Sequence, residues 1–282
     1  MAEKSGLASS GGALQGHSAN VFDKVVVILG PTASGKTGVS IEVGKEIERR
    51  AREAAEGLFG GFAGVEVISA DSRAIYKGME IGTAAPSLEE QQGIPHWGIG
   101  IVEPGERFTV ADWKQYAEQK IAEIRARGNL PMVVGGTGLY IDALVYDYEF
   151  SAEKKRSQED RQGDCTNYLL IGVKTTPETL RERIRLRADK LFVQELYDET
   201  RRLVEKYGWG SQAMKSNIYQ FAWAYLQGEM SLERAKELFV LDDWHLAKRQ
   251  LTCFKRNKEI NWLSLAEIKD FVIKCIQDEQ RN

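Results

Sequence analysis

The chain is poor in cysteine and has no long apolar run. It holds three cysteines among 282 residues, and no two of them form a Cys-x-x-Cys pair. This number and spacing argue against a disulfide scaffold and a zinc finger, and they are typical of a reducing compartment. No segment approaches the roughly 20 consecutive apolar residues that a membrane helix needs. We therefore expect a cytoplasmic protein without a membrane partner.

The sequence also lacks an excess of positive charge. Its 38 Lys and Arg residues are outnumbered by 41 Asp and Glu residues, and the formal net charge is −3. A protein that holds nucleic acid by electrostatics alone is usually basic overall. Any contact with nucleic acid must therefore come from local basic patches.

Short apolar segments alternate with amphipathic ones in the first two thirds of the chain. The predicted strands are 24–29, 65–69, 98–102, 130–134 and 168–173, and the predicted helices between them are 38–55 and 109–127. This alternation predicts an α/β fold, a P-loop NTPase-like parallel sheet flanked by helices. Further helices are predicted at 177–207, 212–227, 231–255 and 265–280, which makes the C-terminal part mostly helical.

Composition divides the chain into three regions. Residues 1–23 are rich in Gly, Ser and Ala and predict a flexible tail. Residues 24–175 form the predicted α/β core, in which the polar stretch 151–167 is a surface linker. Residues 176–282 form the helical part, which we expect to complete the core and to contact any nucleic-acid partner.

The first strand is followed at once by a phosphate-binding motif. Residues 30–37 (GPTASGKT) fit the pattern G-x-x-x-x-G-K-[ST] between a strand and a helix. Gly30 and Gly35 let backbone N–H groups point at an anion, and the helix N-terminus adds its dipole. Lys36 supplies a positive charge, and the Thr37 hydroxyl can bind Mg²⁺. The motif does not say what carries the phosphate: ATP, GTP, a nucleoside and a prenyl diphosphate all fit.

Two further strand ends carry polar or glycine-rich segments, 69–73 (SADSR) and 135–138 (GGTG). In an open parallel sheet, ligands bind beyond the carboxyl ends of the strands. Asp71 could accept a proton from a nucleophile, bind magnesium or cap a helix. Thr137 offers a hydroxyl at the same edge. No acidic residue follows the 130–134 strand, which weakens an interpretation as an ordinary nucleotide triphosphatase.

Several segments together resemble the tRNA dimethylallyltransferase family, also called tRNA isopentenyltransferases. They are GPTASGKT, ISADSRAIYKGMEIGTAAPS, GIPHWGI and PMVVGGTGLYIDAL, followed late in the chain by AYLQGEMSLERAKEL and LAKRQLTCFKRN. The first four match in order and spacing over residues 25–146. The stretch beginning DSR is much more specific than the phosphate-binding motif, which other P-loop proteins share.

The resemblance implies an activity and its partners. A dimethylallyl group would pass from dimethylallyl diphosphate to N6 of the adenine 3′ of the anticodon in tRNA, with release of pyrophosphate. The implied cofactor is Mg²⁺, bound by Thr37, and we expect the enzyme to act as a monomer on the tRNA anticodon loop. Asp71 would be the catalytic base, and Thr137 a second catalytic residue near the diphosphate.

The same resemblance assigns the binding residues. The implied diphosphate site comprises Gly30, Thr32, Ala33, Ser34, Gly35, Lys36 and Thr37, with Arg187 from the second half of the chain. The implied tRNA contacts are Ser72, Arg73, Lys248, Arg249 and Gln250. The run of basic residues from 248 to 258 also fits a solvated helix face.

The chain departs from the family in its middle. Family members carry a further helical segment that grips the anticodon stem-loop, whereas here only residues 145–167 join the two halves. Ile218 stands where the family usually has glycine, and Cys253 where it often has tryptophan. Alternative functions are therefore prenylation of a free adenine nucleotide, phosphoryl transfer by a small-molecule or nucleotide kinase, and binding of RNA or nucleotide without catalysis.

Overall fold

A computed structural model describes residues 22–54, 58–150 and 164–281. Most of the predicted tail 1–23 and of the predicted linker 151–167 lies outside these ranges. Within them, no helix combines the length and the apolar character needed to span a bilayer.

Six parallel strands form one sheet in the part of the chain that the structure describes. They are β1 Val25–Leu29, β2 Gly64–Ala70, β3 His96–Trp97, β4 Asn129–Gly135, β5 Tyr168–Val173 and β6 Asn261–Leu263. Their order is β3-β2-β4-β1-β5-β6, so β1 lies inside the sheet, with Val27 paired to Val133 on one side and to Leu170 on the other. Every side chain of β1 is buried, as expected for a strand with helices over both faces. The predicted parallel sheet is confirmed.

In the described residues, ten helices pack against the sheet or against one another. They are α1 Lys36–Glu53, α2 Glu80–Thr83, α3 Leu88–Gln91, α4 Val110–Ala126, α5 Gly138–Val145, α6 Pro177–Leu191, α7 Gln194–Tyr207, α8 Asn217–Leu226, α9 Leu232–Phe254 and α10 Leu265–Arg281. Side chains alternate between the faces along β1: Val26 and Ile28 pack in the cluster with α1 and α10, and Val27 packs in the cluster with α4, α5, α7 and α8.

The helix boundaries read from the sequence have clear physical causes. Thr109 accepts a hydrogen bond from Asp112 N, and the Asp112 carboxylate accepts one from Thr109 N, which is a complete capping box for α4. Gly128 follows this helix at φ 74°, in the left-handed region. Ser231 caps α9 by accepting from Arg234 N. These predicted boundaries are confirmed.

The predicted strand 98–102 is wrong. The strand is β3, at His96–Trp97, and Val102 makes only an isolated bridge to Tyr76. Gly98 and Gly100 have φ of 81° and 59°, which an extended strand cannot contain. The apolar alternation there comes from a loop that packs against the segment after β2.

The C-terminal part contains more and shorter helices than predicted. The single helix expected at 177–207 is two helices, because Phe192 packs edge-on against Phe239 and the chain is extended at Val193. The helix expected at 212–227 is a 3₁₀ turn at 213–215 followed by α8. Strand β6 was not predicted, since only three residues form it. It is held at the sheet edge where Trp262 packs on Gly172.

Candidate active site

A cavity of about 830 Å³ lies at the carboxyl ends of β1, β2 and β4. Its walls are the phosphate loop, the segments 69–74 and 82–86, the turn 134–137, and side chains from α6 and α9. The three strand ends identified in the sequence therefore meet in one place. The cavity also contains residues from the helical C-terminal part, such as Arg183, which lies 149 positions after Ser34 in the chain.

The phosphate loop has the left-handed residues that such a turn needs. Gly35 has φ 96° and Ala33 has φ 58°, and α1 begins directly afterwards at Lys36. Ser34 is fully buried beneath the loop. Backbone N–H groups at the N-terminus of an 18-residue helix thus face the cavity, a favourable position for an anion.

Lys36 lies against its own loop. Its Nζ donates to Pro31 O at 2.6 Å and lies 3.5 Å from Ser34 Oγ. Burial lowers the pKa of Lys36 to about 8, because a charged amine loses hydration there, and the nearby Arg187 lowers it further, while Asp71 and Asp243 partly oppose the shift. An anionic ligand in the cavity would replace the lost hydration and favour the charged amine.

Two arginines of α6 reach the phosphate loop. Arg187 donates to Thr32 Oγ1, to Asp243 Oδ2 at 3.2 Å and to Thr83 O at 3.2 Å. Its Nε is buried and has no hydrogen-bond partner among the described residues. The structure thus places Arg187 beside the phosphate loop, where the sequence predicted it.

Arg183 lies one turn before Arg187 and was missed in the sequence. Its Nη1 donates to Ser34 O at 2.8 Å. Spacing by four residues on one helix face is the signal that could have identified it. Asp243 of α9 was also missed. Burial raises the pKa of Asp243, although Arg187 and the Thr32 hydroxyl favour its charged form.

Asp71 follows β2 and lines the same cavity. Its Oδ1 accepts from Arg73 N at 2.8 Å and from Ala74 N at 3.3 Å, which fixes the carboxylate at the start of the turn. Within the described residues, Oδ2 has no hydrogen-bond partner. No helix begins here, so Asp71 is not the helix cap that the sequence also allowed; one oxygen holds the turn and the other is available to a ligand.

Thr137 ties the end of β4 to the turn after β2. Its backbone N donates to Ala70 O at 3.1 Å, and its Oγ1 accepts from Ser72 N at 3.0 Å. The same hydroxyl lies 3.3 Å from Ser72 Oγ. Thr137 and Asp71 are thus joined through a short stretch of backbone, and both face the cavity.

The other predicted site residues divide into three groups. Thr32 through Thr37, Ser72, Arg73, Arg249 and Gln250 line the cavity. Gly30 does not line the cavity, and a Cβ there would come within 3.1 Å of Ser34 Oγ, so the glycine permits close packing of the loop. Lys248 lies outside the cavity, on the neighbouring face of α9.

That face of α9 forms a shallow basic groove of about 520 Å³. It is lined by His245, Lys248, Arg249, Thr252, Cys253 and Arg256. These positions recur at helical spacing and therefore share one face. Arg249 belongs to both the groove and the cavity, so the groove leads directly to the site. It is a local basic patch, which is what a chain with a negative net charge would need in order to contact nucleic acid.

The donors fit a magnesium ion held mainly by substrate and water. Among the described residues, no three His, Cys, Asp or Glu side chains gather closely enough to form a metal cage. Mg²⁺ commonly takes one or two protein oxygens and completes its shell with phosphate oxygens and water. The exposed Thr37 hydroxyl at the mouth of the phosphate loop is a suitable single ligand.

Comparison with known proteins agrees with this geometry. The model of the IPP transferase family matches residues 74–166 and 149–257. The two matched ranges overlap at 149–166, around the linker predicted at 151–167.

Individual relatives give the same result. A tRNA dimethylallyltransferase of Acetivibrio thermocellus is 34% identical over 87% of this chain and 93% of its own. That alignment spans 307 positions, more than the 282 residues of this chain, so the relative has residues without a counterpart here.

Solved structures extend the likeness to three dimensions. The tRNA delta(2)-isopentenylpyrophosphate transferase of Staphylococcus epidermidis is 31% identical, with a TM-score of 0.74 over 90% of this chain and 99% of its own. The tRNA isopentenylpyrophosphate transferase of Bacillus halodurans is 27% identical, with a TM-score of 0.76 over 92% and 98%. With its sheet, its phosphate loop and these matches together, the chain belongs to the IPP transferase family.

Proposed function

We propose that this protein transfers a dimethylallyl group from dimethylallyl diphosphate to N6 of the adenine 3′ of the anticodon in tRNA. The observation that carries the proposal is the meeting, in one cavity, of a phosphate loop and the Asp71 carboxylate. The first can hold a leaving diphosphate, and the second can take a proton from an incoming amine. The membership in the IPP transferase family supports the same reaction.

The phosphate loop stabilises the leaving group. As the allylic C–O bond breaks, negative charge grows on pyrophosphate and positive charge spreads over the allyl unit. Loop N–H groups and Arg187 are donors already placed at the site of that negative charge, and Lys36 is a third donor within the same loop. Lys36 must leave Pro31 O to reach the phosphate, a change that exchanges a neutral acceptor for a charged one.

Asp71 acts on the acceptor. The exocyclic amine of adenine is a weak nucleophile because its lone pair is conjugated with the ring. Its N–H becomes acidic as the new C–N bond forms, and a carboxylate held by Arg73 N and Ala74 N is ready to take the proton. The adenine must be unstacked to enter the cavity, which a single-stranded loop permits at low cost.

Magnesium completes the proposed site. When bound through Thr37 and the diphosphate, it would neutralise charge on the leaving group. A free adenine nucleotide is a second candidate acceptor, favoured because the Acetivibrio thermocellus relative has residues without a counterpart in this chain. We also propose that the enzyme is located in the cytoplasm and acts as a monomer.

The decisive test is incubation with labelled dimethylallyl diphosphate and Mg²⁺, with total tRNA and AMP offered in parallel. We expect label in tRNA and release of pyrophosphate. Label in AMP alone would show that the acceptor is the free nucleotide and not tRNA. Absence of transfer to either, with ATP-dependent phosphoryl transfer present, would reject a prenyltransferase.

Affinity for dimethylallyl diphosphate should depend on pH through Lys36. Its pKa near 8 means that the amine is charged below this pH and loses its proton above it. The terminal phosphate of the ligand ionises near pH 6, so it is already fully charged in this range. We expect the Kd, measured by calorimetry, to be flat from pH 7 to 7.5 and to rise by up to about tenfold per pH unit above 8.

The matched control for this titration is Lys36→Met. It should bind weakly at every pH and show no such rise. A pH dependence that is identical in the variant and the parent would assign the titration to another group.

The basic groove of α9 should contribute salt-dependent tRNA affinity. Replacing Lys248 and Arg256 by Ala removes two charges from the groove without touching the cavity. We expect weaker tRNA binding and a fall of about 1.5 to 2 in the slope of log K against log salt. Filter binding at several salt concentrations measures this. An unchanged slope would mean that the groove is only a solvated helix face.

A further inference from the structure

Gln250 of α9 joins the two halves of the site through one side chain. Its Oε1 accepts from Thr32 N in the phosphate loop at 2.8 Å. Its Nε2 donates to Gly136 O in the turn after β4 at 2.9 Å. Both ends of the amide are therefore used, and each end contacts a different functional segment.

The contact with the turn is close and specific. A Cβ at Gly136 would lie 2.6 Å from Gln250 Nε2 and 3.2 Å from Gly30 O. No side chain fits between the amide and the turn, so the glycine is needed for this approach. The amide thus fixes the separation between the phosphate loop and the end of β4.

From Gly136 the connection continues to the base. The next residue, Thr137, binds Ser72 N through its hydroxyl and Ala70 O through its backbone N. Asp71 lies between these two partners in sequence. A shift of the turn at Gly136 would therefore move the segment that carries the carboxylate.

We propose that Gln250 is a positioning residue, a strut that sets the distance between the diphosphate held by the phosphate loop and the acceptor amine held at Asp71. This inference rests on the proposed function. Transfer between two bound groups is sensitive to their separation, and an error of about 1 Å can cost on the order of 100-fold in rate. The strut acts through Thr32 and Gly136 and need not touch substrate itself.

Gln250→Glu tests the strut on one side only. The variant keeps an acceptor for Thr32 N but places an oxygen against Gly136 O, which would push the turn away. We expect kcat for prenyl transfer, measured at saturating dimethylallyl diphosphate, to fall roughly 10- to 100-fold. The added carboxylate charge beside the phosphate loop should also weaken magnesium pyrophosphate binding, so kcat and hydrogen exchange are the readouts of the strut. Gln280→Glu is the matched control. This exposed glutamine of α10 does not line the cavity, and the change should leave kcat unaltered.

Hydrogen exchange provides a readout that does not need activity. In Gln250→Glu, amides at 70–74 and 134–138 should exchange faster, while those of the phosphate loop and of α10 should not. Unchanged kcat at saturating dimethylallyl diphosphate, or faster exchange throughout the chain, would overturn the proposal. A raised KM for tRNA with unchanged exchange would also overturn it, in favour of a direct tRNA contact. A parent that transfers nothing would defeat the proposed function, whereas the exchange data would still test the strut.

Discussion

Asp71→Asn is expected to lower kcat for prenyl transfer by about 10²- to 10⁴-fold, the usual contribution of a positioned general base. Asparagine keeps an oxygen that can accept from Arg73 N and Ala74 N, so the turn after β2 should persist. What it loses is the ability to take a proton from the N6 amine. Steady-state transfer of labelled dimethylallyl to tRNA measures the effect.

The diphosphate site gives the internal control for this variant. Because Asp71 makes no hydrogen bond to the phosphate loop, affinity for magnesium pyrophosphate should stay within about threefold of the parent. Asp270→Asn makes the same chemical change at an exposed position of α10 and should have full activity. If Asp71→Asn turned over at a rate close to that of the parent, Asp71 would not be the general base.

Lys36→Met is expected to weaken binding of dimethylallyl diphosphate about 10- to 100-fold. A hydrogen bond to a charged group contributes about 1.5–3 kcal/mol, and Lys36 is the loop's only charged side chain. Methionine matches the length of the alkyl chain, so the packing around α1 should be retained. Calorimetry below pH 7.5, where the parent lysine is charged, gives the cleanest comparison.

Lys274→Met is the matched control, since Lys274 is exposed on α10 and lies outside the cavity. The unfolding temperature of Lys36→Met should not fall, because removing a buried amine also removes its desolvation cost. Equal affinity in the variant and the parent would show that the ligand binds without this amine. A loss of kcat without a loss of affinity would mean that Lys36 stabilises the transition state but not the bound ground state.

Contacts made to the phosphate loop by other residues explain why Asp71→Asn and Lys36→Met should still fold. The phosphate loop is held from outside by Arg183 at Ser34 O and by Gln250 at Thr32 N. Arg187, which is partly buried, and the buried Asp243 form an ion pair beside Thr32. Removal of one member of such a pair leaves an uncompensated charge, so these positions are poor choices for separating catalysis from stability.

The sequence determined the parts of the site that depend on neighbours in the chain. The phosphate loop, the start of α4 at Thr109 and the strand β5 at Tyr168–Val173 follow from local patterns, and each lies where it was predicted. Local turn chemistry likewise gave Asp71 and Thr137 their places at the strand ends. One failure was also local in cause: positive φ at Gly98 excluded a strand that its apolar pattern favoured.

Only the tertiary structure decided which helices complete the cavity. Thr32 and Gln250 are separated by 218 positions in the chain, and Ser34 and Arg183 by 149. No periodicity or motif in one sequence specifies such pairs, because they depend on how α6 and α9 pack against the sheet. Residue type and spacing thus set the chemistry available at each strand end, whereas helix packing set the distances between those groups.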